Sequence, residues 1–75
     1  MKFSKKAKTL KTINAAIKST LAQNPESKIK KIRLGYKERG EIDSAHPDKV
    51  LGLYLEGSLY IVEPSEEKSL IEILI

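Results

Sequence analysis

Residues 50–62, VLGLYLEGSLYIV, hold two β-rich runs that meet at Glu56-Gly57, and the way they pair decides the fold. Runs of this composition flanking a turn dipeptide read as a β-hairpin. Register matters because side chains alternate between faces, so a slip of one residue turns a strand over. A two-residue loop at Glu56-Gly57 requires positive φ at Glu56, which a residue with a Cβ adopts reluctantly. A type I turn over Leu55-Glu56 with only Gly57 left-handed avoids that demand. The second arrangement is the one expected, and it pairs Leu53 with Leu59 and Leu51 with Ile61 on one aliphatic face. Gly52 and Ser58 then join Val50, Tyr54, Tyr60 and Val62 on the other face, where the glycine leaves room for the Tyr60 ring.

The chain around this hairpin is short. Seventy-five residues make a single domain, 1–75, near the lower size at which one core stabilises a fold, so association with a second copy is an expectation of size alone. With no cysteine, disulfides and cysteine-based zinc sites are excluded. No stretch of eighteen apolar residues exists to cross a bilayer and no secretory signal pattern opens the sequence, so the chain reads as soluble and cytoplasmic by default.

The net charge of +4 conceals a division. Residues 1–37 carry eleven Lys and Arg against the single acid Glu26, a balance of +10. Residues 38–75 carry three against nine acids, a balance of −6. A dipolar chain of this kind suits an anionic partner, or attraction between its own halves.

Residues 4–23 place Leu10, Ile13, Ile17 and Leu21 at spacings of three, four and four, which is one stripe of an α-helix. Lys8, Lys11 and Lys18 fall on the side away from that stripe. Ser4 suits the N-cap, and Asn24-Pro25 stops the helix because a residue before proline avoids helical geometry. Residues 28–36, KIKKIRLGY, alternate Ile32, Leu34 and Tyr36 with Lys31, Arg33 and Gly35, giving a strand with one basic face. Such charges also protect an edge strand from pairing with other molecules. Residues 37–49 mix Gly40, Pro47 and many charges without a sustained period and read as a loop, with the preceding strand able to extend to Ile42. For residues 66–75 two readings compete. Pro64-Ser65 before Glu66 and Glu67 resembles a helix start, while Ile71, Ile73 and Ile75 at period two favour a strand.

Candidate chemistry is sparse. Glu38, Glu41, Asp43, His46 and Asp48 could supply an acid and a base, but no nucleophile motif accompanies them, and no enzyme is expected. One histidine with scattered carboxylates fits neither a zinc nor a calcium site, and the isolated glycines form no phosphate loop, so no metal or cofactor is expected. Two non-enzymatic readings follow. In the first, Val50, Tyr54, Tyr60 and Val62 form a sheet face that one helix cannot cover, which makes the chain a small protein-interaction or regulatory module that binds a protein partner or a second copy of itself. In the second, Lys8, Lys11, Lys18, Lys28, Lys30, Lys31 and Arg33 contact nucleic-acid phosphates, with Tyr54 and Tyr60 available for stacking on bases. With one arginine in the basic half, specific base reading is not expected.

The fold class expected is α+β: an N-terminal amphipathic helix on an antiparallel sheet of three or four strands, closed by a C-terminal strand or short helix. The apolar last residues belong in the core on either reading. Shortening the chain to residue 73 should therefore lower its melting temperature, which thermal unfolding followed by circular dichroism will measure.

Overall fold

The structure, a computed structural model, describes residues 5–75. The expected cap at Ser4 lies outside them. Helix α1, Lys5–Gln23, buries Ile13 and Ile17, with Leu10 and Leu21 half-buried beside them. It ends where the sequence requires. The Asn24 side chain and backbone amides both donate to the Thr20 carbonyl, at 2.9 and 3.0 Å, and Pro25 follows.

Four strands form the sheet: β1, Lys31–Leu34; β2, Gly52–Leu55; β3, Ser58–Pro64; and β4, Ile71–Leu74. The class is α+β, and residues 66–75 supply a strand rather than a helix. The sheet is mixed, however, where an antiparallel one was expected. Its order is β2-β3-β1-β4, and β1 runs parallel to β3 while β2–β3 and β1–β4 are antiparallel. Parallel pairing requires a crossover, and the chain between β1 and β3, in which β2 makes the return run, provides it.

That crossover contains the second departure from the sequence reading. Tyr36, expected to end the first strand, and residues 37–42, expected as loop or strand extension, form a helix, α2, Tyr36–Ile42, followed by a 3-10 turn, Pro47–Lys49. Its apolar periodicity is almost nil, because what it buries is polar. Glu38 and Arg39 are 6% and 5% exposed. Glu38 Oε2 accepts a hydrogen bond from Ser69 Oγ at 2.6 Å, and its Oε1 accepts one from the Leu70 amide at 2.9 Å. The amides of Tyr36 and Lys37 donate to the carbonyls of Glu67 and Lys68, at 3.0 and 2.8 Å. The first turn of α2 thus obtains its missing backbone partners from the β3–β4 loop. On the other side of α2, Arg39 donates to Asp48 Oδ1 at 3.1 Å and to the Ser65 carbonyl at 3.0 Å, tying the helix to the 3-10 turn and the end of β3.

The core lies between the helices and one face of the sheet. Ile13 and Ile17 meet Ile32 and Leu34 of β1, Leu53 and Leu55 of β2, and Val62 of β3, with Val50 closing one end. Burial of each such side chain stabilises the fold by about 1.5–3 kcal/mol.

Gly35, between β1 and α2, admits no side chain. A Cβ there would stand 2.6 Å from the Leu70 nitrogen and 2.8 Å from the Glu67 oxygen, both backbone atoms. Gly35→Ala should therefore push the β3–β4 loop away from α2. Overpacking of this kind costs about 1–3 kcal/mol, which for a domain of this size lowers the melting temperature by roughly 5–20 °C. An unchanged melting temperature would contradict the close approach.

Candidate interaction surface

The hairpin turn is the two-residue loop, with φ of 49° at Glu56 and 82° at Gly57. This corrects the expected register by one residue. Leu53 pairs with Tyr60, Tyr54 with Leu59, Leu55 with Ser58, and Gly52 stands opposite Ile61 rather than Tyr60. A loop with both central residues left-handed matches the right-handed twist of the flanking strands, which a type I turn does not. Tertiary contacts anchor the residue bearing the strain. Glu56 Oε1 pairs with Lys18 Nζ at 3.0 Å and accepts a hydrogen bond from Asn14 Nδ2 at 3.0 Å, fastening the turn to α1. These two contacts hold the Glu56 carboxyl below the usual glutamate range.

The slip turns β3 over. Val62, expected on a partner-binding face, is 2% exposed in the core, and Val50 is 6% exposed. Tyr60 is half-buried against the core. Of the four residues expected to bind a partner, only Tyr54 is open to solvent, at 73%. Leu59 and Ile61, assigned by sequence to the core, instead share its face at 62% and 63%, and Leu51, also assigned to the core, is 57% exposed just ahead of β2. The face expected from Val50, Tyr54, Tyr60 and Val62 is therefore not assembled. An apolar face made of Tyr54, Leu59 and Ile61 takes its place. The turn type was the only signal that could have located it.

Next to this apolar patch the outer face becomes charged. Arg33 of β1 stands between Glu63 of β3 and Glu72 of β4 in the strand register. Its Nη2 lies 3.1 Å from Glu63 Oε2 and its Nη1 lies 3.2 Å from Glu72 Oε1, while Lys31 Nζ reaches Glu63 Oε2 at 3.0 Å. The hydrogen bonds from Lys31 and Arg33 hold the Glu63 carboxyl below its usual range. Two cations and two acids thus neutralise one another on half-exposed strand positions.

The basic residues proposed from sequence do not converge. Lys31 and Arg33 are committed to this band, and Lys18 to Glu56. Lys8 and Lys11 are exposed on α1, whereas Lys28 and Lys30 follow its far end. Tyr54 and Tyr60 point to opposite faces of the sheet, so they form no joint stacking platform.

The acidic loop is also taken up by structure. Glu38 and Asp48 hold α2, Glu41 Oε1 accepts from Thr9 Oγ1 at 3.2 Å, and Asp43 Oδ1 accepts from the amides of Ala45 and His46. His46 is exposed. Arg39, beneath the Tyr36 ring at 5.7 Å, keeps its Nε buried without a hydrogen bond. Among the described residues no three metal-ligating side chains gather, and no helix is long and apolar enough to cross a membrane.

Comparison with protein-family models, with curated proteins and with solved structures finds no match.

Three carboxylates link the surface and the α2 tether to pH. Burial pushes the Glu38 carboxyl up, but hydrogen bonds from Ser69 and the Leu70 amide, with the charge of Lys37, outweigh it and leave the group below its usual range. Glu38, Glu56 and Glu63 all bind protons less readily in the folded chain than in the unfolded one. Their contribution to stability is therefore complete above the ordinary glutamate range and disappears as the pH falls through their depressed values. Urea midpoints should drop between neutral pH and about pH 3, and Glu38→Gln should make that drop shallower because one of the linked protons is gone.

Proposed function

We propose that this chain is a non-enzymatic protein-interaction module that self-associates by laying the outer face of its sheet on that of a second copy. The observation that carries this reading is the contiguous exposure of Tyr54, Leu59 and Ile61 on a face that neither helix covers. At ordinary side-chain areas these three residues expose on the order of 400 Å², within the range of the largest apolar patch on a soluble monomer. Two such patches facing each other remove about 800 Å² from water, short of the roughly 1,000 Å² of a specific interface. The adjoining band of Lys31, Arg33, Glu63 and Glu72 extends the contact toward standard size.

Charge favours a copy of the same chain as the occupant. The molecule carries +4 overall, yet this band is balanced, so two copies meet there without net repulsion. Sheets packed face to face interdigitate side chains at about 10 Å separation, which suits the leucine, isoleucine and tyrosine presented here.

Equilibrium sedimentation tests the reading directly. The expected result is a dimer at micromolar concentration, which Ile61→Glu weakens at least ~100-fold by burying a charge in the interface while leaving the far-ultraviolet dichroism intact. A parent chain that remains monomeric to about 100 µM, corresponding to binding weaker than ~5 kcal/mol, overturns it.

A further inference from the structure

The opposite side of the molecule carries cations that form no ion pair among the described residues, although the charge of Lys37 also favours the ionised Glu38. Lys5 and Lys6 of the first turn of α1 and Lys37 of α2 line one cleft between the two helices. Lys8 joins Lys37 in lining the adjoining cleft, so Lys37 is shared and four lysines line two neighbouring depressions. None of the four forms an ion pair among the described residues, in contrast to Lys18, Lys31, Arg33 and Arg39. Glu41 also lines both clefts, with its Oε1 accepting from Thr9, and Glu38 is turned inward to Ser69 and Leu70. The two depressions together keep a clear positive excess.

This placement works against the helix that carries it. The amino end of an α-helix is the positive end of its dipole and favours acids, yet α1 has no acid in its first turn. Lys5 and Lys8 are also like charges three residues apart, a spacing that brings them onto neighbouring positions of the helix surface. The arrangement lowers the stability of the free chain, and an anionic partner lying across the two depressions relieves it.

We infer that the pair of clefts between α1 and α2 is a docking surface for the phosphate backbone of a nucleic-acid duplex, held by Lys5, Lys6, Lys8 and Lys37. Several features distinguish this partner from an acidic protein. Protein interfaces concentrate their energy in buried apolar anchors, whereas among the described residues only Tyr36 and Ile71 are large apolar side chains on these clefts. Base recognition is absent by construction. The two arginines are committed to carboxylates, and lysines act on phosphates as point charges, so binding is independent of sequence. A single strand would call for a row of exposed rings to stack its bases, and among the described residues Tyr36 is the one ring on these clefts, with Tyr54 on the outer sheet face. The inference does not depend on self-association, although two copies joined at their sheets would present one such pair of clefts on each outer side.

Fluorescence anisotropy with a labelled DNA duplex of mixed sequence, roughly 20 base pairs long, tests this. Four phosphate contacts give a log–log salt slope of about −3 to −4, so affinity should fall roughly 100-fold between about 50 and 200 mM salt. The variant K5Q/K6Q/K8Q/K37Q should bind at least tenfold more weakly at low salt and with a shallower slope. Its melting temperature should equal or exceed that of the parent, a result that a merely structural role for these lysines would not produce. The variant K28Q/K30Q/K49Q/K68Q removes the same net charge elsewhere and should keep the parent's affinity within about threefold. Equal losses in the two variants overturn the inference, as does a parent chain that fails to bind the duplex at about 50 mM salt.

Discussion

The two-residue turn at Glu56-Gly57 is the constraint on which most of this structure depends. It determines which face of β3 meets the helices, and β3 is flanked by β2 on one side and β1 on the other. With this turn, Val62 packs beside Ile32 and Leu34, and Ile61 faces water. The alternative turn would exchange them and bring Leu59 and Ile61 inward in place of Tyr60 and Val62. Left-handed backbone at Glu56 is unfavourable in isolation. It is held here because the twist of the strands demands it and because Lys18 and Asn14 of α1 secure the carboxylate. A helix and a hairpin 42 positions apart in sequence are thus joined at the point of greatest backbone strain.

A second kind of cohesion operates around α2. The apolar core is small, and much of the organisation of the crossover comes from buried polar groups with specific partners. Glu38 and Arg39 lie side by side in sequence but reach in different directions, one to Ser69 and Leu70 and the other to Asp48 and Ser65. Groups of this kind stabilise only when satisfied, because a buried donor or acceptor left alone costs about 1–3 kcal/mol. They make the position of α2 specific, and they make its carboxylate anchor sensitive to proton concentration. Gly35 completes the arrangement by letting the backbone of the β3–β4 loop pass within contact distance.

These two devices also sort the charges. Acids of the C-terminal half, Glu56, Glu63 and Glu72, reach the cations Lys18, Lys31 and Arg33 of the N-terminal half, so part of the dipolar sequence is neutralised within the fold. What remains is divided between two surfaces of different character. The outer sheet face is apolar with a balanced polar band, suited to exclusion of water. The helical side is cationic and open, suited to a partner that brings its own charge.

The sequence by itself determined what depends on neighbours close along the chain. The stripe of Leu10, Ile13, Ile17 and Leu21 sufficed to place α1, Asn24-Pro25 its end, and the run 50–62 a hairpin, because helical periodicity, proline sterics and turn composition are local properties. The period-two isoleucines left residues 66–75 open between a strand and a short helix, and pairing with β1 made Ile71–Leu74 a strand. The fold class followed from these elements. Only the tertiary structure decided the rest. The parallel pairing of β1 with β3 is invisible to any local window, since strand order arises from long-range contacts. Helix α2 carries no apolar period, for its energy comes from hydrogen bonds to residues about 30 positions away. The candidate interface changed its members for the same reason: period-two alternation makes two faces obvious but leaves open which is inside, and a one-residue choice at Glu56 exchanged Val62 for Ile61.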